Sequence, residues 1–301
     1  MAVVISGTGL YTPTQSISND ELVECFNSYV EKFNATHSQD ISDGKVAALS
    51  PSNSSFIEKA SGIKNRYVMS KESILNVDIM APRFTERSNN ELSMQAEIGV
   101  AAAKEAMAAA NKRPEDIDLI IVACAYTQRS YPAMAIEIQN ALGCGGWGFD
   151  MLVACSAATF GIINAANAIR SGTAKTVLVI NPEILSPQIN YRDRDSHFIF
   201  GDVATASIIE DESTANAEHV FKIIGEQPIT KYSNNIRSNI GYMNSSSPDN
   251  IGDEDKFFIQ QGRKVFKEVL PMVSQLIVSQ MDKLNLGASD IKRLYLHQAN
   301  I

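Results

Sequence analysis

Apolar runs and helix-like stretches alternate along most of the 301-residue chain. AVVISGTG (2–9) is a short apolar run ending in glycines and predicts a buried strand. Ser18 and Glu21 stand three apart, the spacing at which a hydroxyl and a carboxylate reciprocally close a helix start. They predict a helix from Asn19 to about Phe33. Residues 34–87 then form a long excursion of scattered Asn, Ser, Asp and Pro with modest apolar patches. A structureless stretch of that length is unusual, so short helices and a functional role are expected in it. Ser88 and Glu91 repeat the capping spacing, ahead of an Ala-, Glu- and Met-rich helix over 92–110.

PEDID (114–118) reads as a turn and LIIVACA (119–125) as a buried strand. A helix over 132–142 follows, then a strand, GFDMLVA (148–154), running straight into Cys155. Small and apolar residues over 156–171 predict the next helix, and TVLVIN (176–181) the next strand. A polar loop over 186–200, containing RDRD, ends at Gly201-Asp202. VATASIIE (203–210) and HVFKIIG (219–225) read as strands, and 255–285 holds an amphipathic helix interrupted by Pro271. ASDIKRLYLH (288–297) predicts a turn, a strand and a polar end. This alternation implies an α/β fold of buried strands with helices on both faces. One echo stands out: a long helix and then PEDIDLIIVACA ends at 125, and a long helix and then ASDIKRLYLHQA ends at 299. It suggests two duplicated layered halves, 1–213 and 214–301.

Net charge is -8 and the sequence pI about 5.1, which argues against a nucleic-acid partner. No run approaches the ~18 apolar residues of a membrane span. The first residues, MAVVISGTGLYTP, lack a basic leader, so a cytoplasmic, non-membrane protein is expected. The four cysteines, Cys25, Cys124, Cys144 and Cys155, form no CxxC pair, which leaves zinc and redox motifs unsupported. SGTGLYTP lacks the GxGxxG spacing of a dinucleotide-binding turn.

Cys155 is the candidate nucleophile. A strand-to-helix junction offers free N–H groups and partial positive charge, which favour thiolate and a bound oxyanion. A buried structural cysteine fits the position equally well on local grounds. His297, in LHQAN, would stand beyond the carboxyl end of a strand, where α/β sites form. His37 and His219 read as ordinary packing or surface residues, and His197 as structural, with a lesser claim to the site.

DMLVACSAATFGI around Cys155, HFIFGDVATA (197–206) and YLHQAN (295–300) resemble the β-ketoacyl-acyl carrier protein synthase III family. SGIKNRYV (61–68) and SYPAMAIEIQNALG (130–143) extend the resemblance over nearly the whole chain, in order. It implies a thiolase-like fold with no cofactor beyond a CoA thioester as substrate. Cys155 would carry an acyl group from acyl-CoA. Malonyl-acyl carrier protein would then lose carbon dioxide, and its enolate would attack the acyl-cysteine. His297 matches the histidine that stabilises the enolate, and Asn300 the supporting asparagine of HQAN. The family's third catalytic residue and second oxyanion donor are expected beyond Ile301. A chain ending there would load Cys155 but condense poorly.

The resemblance is strongest to members using medium-chain primers; Phe56, Met69, Ile74 and Met80 would either line a longer acyl tunnel or simply pack the excursion. Phe56 matches an aromatic at the CoA entrance, while Ala60 stands where some members have an arginine; Arg66 is a second candidate. Tyr131 resembles an aromatic inserted into a partner subunit, which implies a homodimer, against the simpler expectation of a core aromatic at a helix start. Arg263, Lys264 and Lys267 would dock the acidic carrier protein, against the simpler expectation of a solvated helix face. The alternatives are a thiolase, a hydroxymethylglutaryl-CoA synthase, a polyketide-type synthase, or a non-catalytic acyl-CoA-binding homologue.

Overall fold

The computed structural model describes residues 2–298. In chain order the elements begin with β1 (Val3–Tyr11), β2 (Gln15–Ser18), α1 (Asn19–Thr36), α2 (Ser38–Ser42), α3 (Ser54–Ser61) and β3 (Asn65–Val68). The middle of the chain forms α4 (Met94–Ala109), β4 (Leu119–Cys124), α5 (Met134–Leu142), β5 (Trp147–Leu152), α6 (Ala157–Arg170) and β6 (Thr176–Ile184). Then come β7 (Asp202–Asp211), β8 (Phe221–Lys222), β9 (Ile236–Arg237), β10 (Ile259–Gln260) and α7 (Gly262–Lys283). Packing groups them into two compact units, each discontinuous in sequence. The first comprises 1–12, 85–184 and 203–229, and the second 13–84, 185–202 and 230–301. This grouping by contact differs in kind from a division into repeats.

The first unit holds a six-stranded mixed sheet in the order β5-β4-β6-β7-β1-β8. β4 runs parallel to β5 and β6, and β1 antiparallel to β7 and β8. All six residues of β4 are buried, as its unbroken apolar run requires. Successive residues of β6 meet opposite helices. A Cβ on Gly161 of α6 would come 2.6 Å from Val179, and one on Gly99 of α4 would come 3.4 Å from Ile180. Helices therefore cover both faces. The α4 backbone lies so close to β1 that a Cβ at Gly9 would stand 2.0 Å from the Ala102 carbonyl oxygen.

In the second unit the Ser18/Glu21 capping box forms as the spacing predicts, at the start of α1. The 34–87 excursion holds the expected short helices, together with β3, which pairs antiparallel with β2. Its Ile57, Ile74 and Met80 are buried with Phe26, Tyr191 and Phe198 in one core. Ile74 and Met80 are thus closed into packing.

Five expectations about elements need correction. The helix expected at 92 starts at Met94 and is capped by Ser93, while Ser88 and Glu91 close a separate turn upstream. The strand expected over 219–225 shortens to β8, and the helix expected from 255 starts at Gly262. The strand leading to Cys155 ends at Leu152. The strand expected near the end of the chain does not form over 291–298. No described residue forms a ladder with that segment, and Leu294, Tyr295 and Leu296 stay more than half exposed. The turns ahead of the two echoing segments do correspond. Asp116 accepts from the Arg113 N–H at 2.9 Å, and Asp290 from the Gly287 N–H at 2.8 Å.

Candidate active site

β4, β5 and β6 end side by side at one edge of the first unit, and the turn that carries Cys155 hangs from that edge. The Val153 N–H donates to the Cys124 carbonyl at 3.2 Å, one step past β5. Ala154 follows at φ 45, a left-handed conformation that costs a non-glycine residue roughly 1–2 kcal/mol. Strain of this kind concentrates where a side chain must be aimed. Cys155 comes next, exposed, in a single 3-10 turn that leads into α6. No side chain caps that helix.

The thiol is not held as a thiolate, contrary to the expectation from its helix start. Cys155 reaches solvent as a residue, yet the protein packed around its thiol desolvates it and pushes its pKa up; the Glu183 carboxyl adds to this, and the cysteine's own N–H lowers it only in part. Desolvation and a like charge outweigh one amide dipole here.

Glu183 lies near the end of β6, and sequence reading missed it. Its carboxyl accepts from the Ala125 N–H at 2.8 Å. Its other oxygen is shut off from solvent and has no hydrogen-bond partner among the described residues. Burial pushes its pKa up to about 8. The loop after β4 is pinned from α4 by Gln95, whose Nε2 donates to the Tyr126 and Pro182 carbonyls at 2.9 and 2.8 Å. Gln95 Oε1 accepts from the Gln128 N–H at 2.7 Å. Arg129 pairs with Glu137, which also accepts from the Ser93 N–H and hydroxyl. The loop so held presents Tyr131, 83% exposed.

In the second unit Phe56 is half-buried on α3, and the Arg194 guanidinium lies 4.6 Å from its ring centroid. Arg194 also donates to the Pro51 carbonyl at 2.9 Å. The planar cation lies over the aromatic face, a favourable contact with the ring's negative face, and also pairs with Asp195 at 3.6 Å. Arg194 belongs to the RDRD run, whose sequence marked a charged loop but no role. Arg66 is 5% exposed and donates to the Ile17 carbonyl and the Asn19 side chain, so its guanidinium is committed inside the fold.

Arg263, Lys264 and Lys267 are exposed on the first turns of α7, and none is in an ion pair with a described residue. Cations at a helix start oppose its dipole and add to the local positive potential. His297 is exposed in the irregular segment after Asp290, and Asn300 lies outside the described residues.

A strained turn presents a cysteine at the carboxyl edge of the parallel strands of this mixed sheet, an arrangement open to acyl-transfer chemistry. A profile of the 3-oxoacyl-[acyl-carrier-protein] synthase III family matches residues 149–225, which contain Cys155 and Glu183. The chain is 50% identical over 279 residues to a beta-ketodecanoyl-[acyl-carrier-protein] synthase of Pseudomonas aeruginosa, covering 93% of this chain and 80% of that protein. It is 28% identical to a beta-ketoacyl-[acyl-carrier-protein] synthase III of Granulibacter bethesdensis, over 99% of this chain and 77% of that one. Among solved structures, a 3-oxoacyl-(acyl carrier protein) synthase III of Pseudomonas aeruginosa superposes with a TM-score of 0.73 at 19% identity, over 100% of this chain and 76% of the other. A priming beta-ketosynthase of the R1128 polyketide pathway gives 0.71 at 21%, over 99% and 75%. The chain belongs to the 3-oxoacyl-[acyl-carrier-protein] synthase III family and has its thiolase-like fold. It is therefore an acyltransferase of the condensing class. No helix among the described residues is long and apolar enough to cross a membrane.

Proposed function

We propose that the protein transfers a medium-chain acyl group from CoA to Cys155 and condenses it with malonyl-acyl carrier protein. The Cys155 thiol attacks the primer thioester, the C–S bond to CoA breaks, and the thiol proton leaves with CoA. Malonyl-carrier protein then loses carbon dioxide, and the electron pair released forms an enolate. That carbon bonds to the acyl carbonyl, Cys155 departs and regains a proton, and 3-oxoacyl-carrier protein is released. Every step is redox-neutral, so CoA enters only as part of the substrate.

The observation that carries this proposal is the exposed Cys155 behind a left-handed Ala154, inside the segment that matches the family. Enolate charge needs preorganised donors at the thioester oxygen. His297 is assigned that role by its match to the family histidine, with Asn300 in support. The ten-carbon product in the name of the 50% identical relative favours an eight-carbon primer, since condensation adds two carbons. Arg194 stacked on Phe56 supports a CoA entrance there, and Arg66 has no part in it. The exposed cations on α7 favour an acidic carrier protein as the docking partner. Tyr131, prominent on a pinned loop, supports a homodimer in which it reaches the partner's site.

Incubation with acetyl-, butyryl-, octanoyl- and decanoyl-CoA, followed by mass spectrometry of the Cys155 peptide, tests the central step. An octanoyl adduct that disappears in Cys155→Ala is expected. Exclusive use of acetyl-CoA would defeat the primer assignment. No adduct with any primer would instead support a non-catalytic homologue.

A further inference from the structure

Pro182 interrupts the seam between β4 and β6. The parallel ladder runs only to Val122 opposite Ile180, because a proline has no N–H to donate. Two side chains continue the seam in its place. Asn181 Nδ2 donates to the Ala123 carbonyl at 2.8 Å, and Glu183 accepts from the Ala125 N–H at 2.8 Å. Between those two contacts lies Cys124, whose carbonyl takes the Val153 N–H on the opposite edge of β4. The end of β4 is thus held by Glu183 on one side and carries the nucleophile turn on the other.

A carboxylate needs partners for both oxygens, and Glu183 has one for only one of them. Charged, it would be an under-solvated anion close to the cysteine. Neutral, it still accepts from Ala125 and places no charge there. We propose that Glu183 is a positioning residue kept protonated in the working enzyme. Uncharged, it fixes the end of β4 from which Cys155 is aimed; ionised, it opposes formation of the Cys155 thiolate. The proposal rests on Cys155 as the acyl-carrying nucleophile.

Among the described residues, the titratable groups that sense Glu183 include Cys155 in the turn and Cys124 at the end of β4, and the Tyr126 hydroxyl donates to the Ile184 carbonyl, one residue along from Glu183. Asp150 on β5 acts on Cys124 as well. α4 and β7 face this end of β6 with neutral groups, Gln95 and Thr205. Burial holds the Glu183 proton up to about pH 8, and ionisation above that adds negative charge beside the thiol.

The test is iodoacetamide alkylation of Cys155 in the full-length protein between pH 6.5 and 10, read by mass spectrometry of its peptide, in wild type and Glu183→Gln. Glutamine keeps the acceptor for the Ala125 N–H and cannot ionise. The variant is expected to alkylate about 3–10-fold faster than wild type at pH 9, which corresponds to roughly half a unit to one unit in the apparent thiol pKa. Wild type is expected to show two ionisations and the variant one. Superimposable profiles would overturn the proposal. So would a wild-type profile fitting a single ionisation, a result that needs no variant to fold. Acyl loading from octanoyl-CoA, followed in parallel, separates this outcome from failure of the proposed function. Loss of loading with the alkylation difference intact would refute only the acyl-carrying role.

Discussion

His197 is enclosed in the second unit, stacked on Phe26 with ring centroids 4.7 Å apart. Its Nδ1 lies within 3.0 Å of the Asp193 and Arg194 carbonyls. Burial above all, and Arg66 nearby, hold its pKa down to about 4 from an ordinary 6.5, against the pull of those carbonyls. A depressed pKa favours the folded state fully above 6.5, and that advantage is lost as pH falls toward 4. Melting temperature, followed by circular dichroism, should fall across this window. His197→Asn, which keeps a donor for the carbonyls, should flatten the slope, and an unchanged slope would assign the pH dependence elsewhere. The structural role expected of this histidine follows from its burial. Cys155 was legible because an apolar strand meeting a small-residue helix shows in the letters alone. The direction of its pKa was not, since it depends first on desolvation and then on Glu183, and only folding sets either. The Arg194–Phe56 stack escaped notice for the same reason.

Helix ends show how far local signals reach. Ser18 and Glu21 close α1 as their spacing predicts, because both partners lie within one turn. Ser88 and Glu91 have the same spacing, yet α4 starts after Ser93. The pair closes a turn of its own, and nothing local ranks one serine above the other. The start of α5 is supplied from a distance: Asp150 on β5 accepts from the Met134 and Ala135 N–H groups at 2.7 and 2.8 Å. No cap appears next to the helix in sequence, where Ala133 occupies the position. Asp150→Ala removes both acceptors and a negative charge at a helix start, and should cost about 1–2 kcal/mol. A lowered urea midpoint with an unchanged slope is the expected result. A midpoint equal to wild type would show that solvent replaces the carboxylate without loss.

At the scale of the whole molecule, alternation and motif order were enough to read an α/β chain of this family. The segment over 291–297 was misread because its apolar letters show the tendency to form a strand, but not whether a neighbour is present. The acidic chain also carries its local exception, Arg263, Lys264 and Lys267 on α7, none in an ion pair with a described residue. Reversing Lys264 and Lys267 to Glu should raise the KM for carrier-bound substrate by about 3–10-fold, most strongly at low salt. Acyl transfer from CoA, which involves no carrier protein, is the matched comparison. An unchanged KM would remove this face from carrier docking.

The pairing of β1 with β7 also sets a clock. Val3 lies opposite Asp211, so the two partners are separated by 208 residues of chain (211 − 3). On a ribosome adding about 5–20 residues per second, the second is made roughly 10–40 s after the first. Throughout that interval β1 has this sheet partner still untranslated. It is therefore a segment for which chaperone shelter during translation matters most.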